Sequence, residues 1–174
     1  MILGMSTATF TQFHVLLSLI GIIAGVVVAL AMLSANRLPV LTAIFLLTTV
    51  ATSATGFMFH FESFGPPEIV GAISLVVLAA AILALYAYKL AGAWRWIYVS
   101  AAVFALYLNV FVGVVQTFQK VPYFHALAPT QTEPPFAVAQ GVVLIAFIVL
   151  GIAAARKFHP SSRAPGFSSA SAGS

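Results

Sequence analysis

Five long apolar runs separated by short polar connections make up most of this chain, at about residues 13–33, 39–61, 68–89, 94–119 and 134–157. Each holds about 20 or more predominantly apolar residues, enough for a helix to cross a hydrocarbon core roughly 30 Å thick. A transmembrane barrel would need alternating segments of about ten residues instead. The pattern therefore predicts an all-α fold, a polytopic bundle of five transmembrane helices over residues 1–157. The second run opens on Pro39, a residue suited to a first helical turn because its missing N–H would have no partner there. Residues 120–133 form the longest connection, containing Tyr123, His125, Pro129, Gln131 and Glu133. Residues 158–174 turn to Ser, Ala, Gly and Pro, a composition with little to bury, and are expected to be a disordered tail.

Counting the connections alternately separates the charges. One side collects Arg37, Lys89, Arg95, Arg156, Lys157 and Arg163. The other collects Glu62, Glu68 and Glu133, with Lys120 its only base. Short loops rich in Lys and Arg stay cytoplasmic. The expected orientation is thus amino terminus outside and carboxyl terminus inside. The opening MILGMSTATFTQFH lacks a basic leader and the apolar run after it is too long for a signal peptide, so an uncleaved first helix is expected. Trp94, Trp96 and Tyr98 fall where an interfacial aromatic belt belongs.

Composition narrows the function classes. The chain is 62% hydrophobic and 6% charged, against about 25% charged in soluble domains. Its lipid bilayer is therefore its first partner. The net charge of +4 is spread over separate loops and a tail, so no nucleic-acid partner is expected. The absence of cysteine excludes thiolate nucleophiles and Cys-ligated metal clusters. Aspartate is absent too, and no G-x-S-x-G turn or phosphate-binding loop occurs. The acids sit at the rim and not inside a run, which argues against proton-coupled transport.

Two stripes of small residues carry a packing signal. On a helix, offsets of 4, 7 and 11 stay on one face. From His14 forward they give Ser18, Gly21 and Gly25; from His60 backward they give Gly56, Ser53 and Thr49. Small residues let membrane helices approach closely, so the first two helices are expected to pack through these stripes.

The fourth run adds a polar line, Asn109, Gly113, Gln116 and Lys120. Asn109 lies near mid-bilayer at about 1.5 Å per residue, where an amide must find a partner. That partner could be a Thr or Ser of the second helix or a ligand. Polar residues otherwise converge on the acid-bearing side, which suggests a concave site opening there. The candidate ligand-binding residues are His14, His60, Asn109, Gln116, His125 and Glu133. His14, His60 and His125 could also hold a transition metal, or His14 and His60 a haem, although no close metal-ligand spacing supports either.

Three stretches, AGAWRWIYV at Ala91–Val99, LYLNVFV at Leu106–Val112 and KVPYFHALAPTQTEPPF at Lys120–Phe136, together resemble a group of small bacterial multi-pass inner-membrane proteins. The resemblance covers about residues 12–157. It implies a bacterial cytoplasmic-membrane location and transfers no catalytic residue. The expected function is non-enzymatic: binding of a small ligand, lipid or quinone at an external polar mouth, or service as a subunit of a larger membrane complex. A haem- or metal-dependent redox protein and a small permease formed by homo-oligomerisation are the alternatives.

Overall fold

The computed structural model describes residue 2 and residues 4–59 and 65–159. His60, Glu62, Arg163 and the expected tail beyond residue 159 lie outside the described residues. Within them the fold is helical, and five helices are long and apolar enough to span a membrane.

Helix α1 runs Thr7–Met32 and begins before the apolar run does, because the Ser6 hydroxyl accepts a hydrogen bond from the Thr9 N–H at 3.1 Å and caps the first turn. Helix α2 runs Pro39–Gly56 with proline in its first turn. Helix α3 covers Pro66–Ile82 and continues as a π-helical turn at Leu83–Ala87. Lys89 and Leu90 then take positive φ values of 49° and 62°, which turn the chain sharply. Tyr88 and Trp94 stack across that turn with ring centroids 3.7 Å apart. Helix α4 runs Trp94–Lys120. The connection expected as a loop contains a short helix, α5, at Pro122–Leu127. Helix α6 runs Pro134–Lys157.

The first four long helices close a ring. α1 packs on α2 and α4, while α3 packs on the same two neighbours from the opposite side. α6 lies outside, against α4 and one edge of α1. Its end is tied down by Arg95, whose guanidinium donates to the Phe158 carbonyl at 2.6 Å and to Ala155 at 3.3 Å. Those last-turn carbonyls have no helical donor of their own.

The core occupies the half of the ring that carries Arg37 and Arg95. Met32, Phe45, Leu78, Val99 and Leu106 are fully buried there. At Gly25 an added Cβ would sit 2.6 Å from Leu106 Cδ1 and 2.8 Å from the Phe45 ring. Only glycine lets α1 approach this closely. The other half of the ring is packed less tightly, and there the helices surround a space.

Candidate functional site

A cavity of about 950 Å³ lies between α1, α2, α3 and α4, at the end where α1 begins and α4 finishes. Its volume suits a drug-sized or lipid-like molecule. The inner surface is mainly apolar, supplied by Val15, Leu19, Ile22, Leu108 and Val112. A limited set of polar groups interrupts it.

Asn109 forms the floor. It is buried, accepts from the Ser18 hydroxyl of α1 at 3.4 Å and donates to Thr49 of α2 at 3.5 Å. Gly21 makes room for this level: a Cβ there would meet Thr49 Oγ1 at 3.0 Å, Thr48 Oγ1 at 3.1 Å and Asn109 Nδ2 at 3.2 Å. One amide thus joins three helices, and both bonds are long. One turn deeper, Gly25, Phe45 and Leu106 close the bundle.

His14 stands on the wall. Its Nδ1 lies 2.8 Å from Thr55 Oγ1, and its ring meets Phe59 edge-on with centroids 5.3 Å apart. The Thr55 hydroxyl has one proton, and the Ala51 carbonyl is 2.7 Å away to take it. Thr55 must then accept from His14, so a neutral ring carries its proton on Nδ1 and leaves Nε2 as an acceptor. On the facing wall, Ser53 donates to Ser74 of α3 at 3.0 Å.

Glu68 completes the polar set from the first turn of α3. One carboxylate oxygen accepts from the Gly65 N–H at 2.8 Å. The residue is only 7% exposed, and its second oxygen has no hydrogen-bond partner. Thr52, also buried on the cavity wall, has an unpartnered hydroxyl. Gln116, Gln119 and Lys120 line the α4 side of the mouth.

The structure gathers some of the sequence candidates and separates others. His14, Asn109 and Gln116 share the cavity. His125 is exposed on α5, away from the lining. Glu133 precedes α6 and binds its own loop, accepting from the Thr130 hydroxyl at 2.9 Å and the Thr132 N–H at 3.1 Å. His60 lies outside the described residues, and with it half of the suggested haem pair. Among the described residues no group of three or more metal-ligating side chains comes together. Of the small-residue stripes, Gly21 faces Thr49, and a Cβ added at Gly56 would meet His14 Cε1 at 3.8 Å. Ser53 turns to α3 instead. Thr52 was not singled out from the sequence; its helical offset of three from Thr49 and its position one turn before Thr55 and Gly56 were the available signal.

A second cavity of about 240 Å³ lies at the opposite end, among Arg37, Tyr86 and Tyr98. No protein-family profile, curated protein or solved structure matches this chain.

Proposed function

We propose that this chain is a multi-pass protein of a bacterial cytoplasmic membrane that binds an amphipathic small molecule, lipid-like or quinone-like, in the large cavity. The amino end and the cavity mouth face the outside of the cell, and the Arg37, Arg95, Arg156 and Lys157 end faces the cytoplasm. The charge segregation supports this orientation. The observation that carries the binding reading is the cavity itself: a largely apolar space of about 950 Å³ with convergent polar groups at its floor and mouth. An apolar body would fill the region between Leu19 and Val112. A polar end would meet His14, Gln116 and the mouth.

Gly113 provides the test. A Cβ there meets only Ile22 Cδ1, at 3.8 Å, so the position opens on the cavity. Protein purified in mild detergent should carry a stoichiometric amphiphile in native mass spectra. Gly113→Leu should lose it while melting near the wild-type temperature. Retention of the bound species by a folded Gly113→Leu protein, or a wild type that takes up neither lipid nor quinone, would remove the proposal.

A further inference from the structure

The smaller cavity opens at the opposite end of the ring, beyond the layer where Gly25, Phe45 and Leu106 pack. A sphere of its volume, about 240 Å³, is only about 8 Å across, so side chains on facing walls reach one bound group. The inner part is buried: Val28, Met32 and Phe158 are apolar, while Thr42 and Tyr98 bring hydroxyls. The Tyr98 hydroxyl has Thr42 as its hydrogen-bonding neighbour and lies within electrostatic range of Tyr86 and Arg37. Two hydroxyls carry two protons; a bond between them uses one and leaves the other to donate into the cavity. Asn36, Arg37 and Tyr86 form the exposed rim.

Local structure delivers each of these groups. Ala35 takes a φ of 54° just after α1 ends, and the turn it makes brings Asn36 and Arg37 to the rim. The π-helical turn Leu83–Ala87 contributes Leu85 and Tyr86, and such turns recur at functional sites. α2 starts from this wall without a side-chain cap, so the free N–H groups of its first turn add positive potential. No carboxylate is among the lining residues, and Glu68 and Glu133 belong to the opposite end of the bundle. The cavity thus offers a guanidinium, hydroxyl donors and no negative charge.

We propose that this smaller cavity is a binding site for an anionic phosphate ester. The Arg37 fork pairs with two phosphate oxygens. The Thr42–Tyr98 pair and the Tyr86 hydroxyl donate to the others, and Leu85 and Leu90 cover the carbon side of the ester. The space lies below the size of a drug-like pocket, so acyl chains stay outside. Trp94 and Trp96 mark the same end as headgroup level. The ester is therefore either the headgroup of an anionic phospholipid or a small soluble phosphate ester. Nothing here depends on what fills the larger cavity.

Three ligands and four variants decide it. The protein in mild nonionic detergent is titrated, by native mass spectrometry, with phosphatidylglycerol, with diacylglycerol of the same chains, and with glycerol 1-phosphate. One phosphatidylglycerol should bind, at least about tenfold more tightly than diacylglycerol, and Arg37→Gln should weaken it by about tenfold or more. Tyr98→Phe, which removes only the hydroxyl, should weaken it about fivefold. Arg156→Gln removes an equal charge outside the cavity and should change binding less than about twofold. Gly113→Leu, which fills the larger cavity, should leave this copy bound. Glycerol 1-phosphate binding at the lipid's affinity, with the same dependence on Arg37, identifies a soluble ester; weaker binding identifies the lipid headgroup. Equal binding of diacylglycerol, or equal losses in Arg37→Gln and Arg156→Gln, overturns the proposal, as does failure of both phosphate esters to bind. Loss of the lipid in Gly113→Leu alone places it in the larger cavity and overturns this site only. Arg37 is exposed, so Arg37→Gln carries the test if Tyr98→Phe fails to fold.

Discussion

The two halves of the helical ring each use a glycine on a long apolar helix and reach opposite results. Gly25 on α1 and Gly113 on α4 are both glycines inside long apolar helices. At Gly25 a single extra carbon would fall 2.6 Å from Leu106, whereas at Gly113 the nearest atom is 3.8 Å away. The half around Gly25 is sealed by Phe45, Met32, Leu78 and Val99. The half around Gly113 holds the cavity. Between them lies the Asn109 level, where Gly21 still brings α1 close and long hydrogen bonds join three helices. Inside a membrane, helix association depends on van der Waals contact and interhelical hydrogen bonds, because lipid tails are as apolar as the side chains. The sealed half therefore supplies the cohesion, and the hollow half is free to carry polar groups.

The largest expected effect tests that division directly. Gly25→Ala should destabilise the protein by about 1–3 kcal/mol through overpacking against Leu106 and Phe45. Gly113→Ala should stay within about 0.5 kcal/mol of wild type. Unfolding curves in the same detergent measure both, and similar losses at the two glycines would erase the contrast.

Next comes the clamp at the sealed end. Arg95→Met removes the donor held by the Phe158 and Ala155 carbonyls and should cost roughly 1–2 kcal/mol, discounted for its partial exposure. Hydrogen exchange should speed up in the last turn of α6 and leave the α1–α2 contact unchanged. Acceleration spread evenly over all helices would mean that Arg95 holds the whole ring and not one helix end.

A smaller effect is expected at the boundary between the halves. In a double-mutant cycle of Asn109→Ala and Thr49→Ala, the coupling should be about 0.6 kcal/mol, ordinary for a hydrogen bond between membrane helices. The 3.5 Å separation gives no reason to expect more. A coupling several times larger would make Asn109 a structural keystone and weaken its place in a ligand site.

The smallest effect is local and lies outside the bundle. Desolvation in its loop would raise the Glu133 carboxyl, but hydrogen bonds from its own backbone N–H, Thr130 and Thr132 outweigh it and hold the group below its ordinary value. A depressed carboxylate stabilises its surroundings fully above the unfolded value of about 4.3 and loses that contribution as pH falls through the folded value. Exchange at the Thr130 and Thr132 amides, corrected for intrinsic rates, should therefore rise only on acidification below that range. Glu133→Gln should remove the pH step and leave the cavity intact.

Much of the framework was legible because it depends on local chemistry. The Pro134-Pro135 start and the Arg156-Lys157 end mark α6 at 134–157, where the structure places it. The start of α1 was misjudged by hydropathy alone, since TATFTQ is polar enough to hide a helix that Ser6 caps. Gly21 opposite Thr49 followed from helical spacing, but Ser53 lies at an angle that meets α3, and spacing on one helix does not say which neighbour stands there. His125 and Glu133 share the acid-bearing side in sequence, yet α5 and the Thr130 turn carry them away from the cavity. Glu68 read as an ordinary rim acid. Its burial, with one carboxylate oxygen left without a hydrogen-bond partner, follows from tertiary packing that no one-dimensional pattern expresses.

Apolar run length, proline and serine at helix starts, and the segregation of Arg and Lys from Glu determined five helices long and apolar enough to span a membrane and an expected orientation, because these signals act within one turn of helix or across one interface. Only the tertiary structure decided that α1 to α4 form a ring, that the ring is sealed at Gly25 and hollow at Gly113, and that Glu68 keeps a buried oxygen unpaired. Those outcomes depend on which faces of separate helices meet, a matter of long-range packing that composition and period leave open.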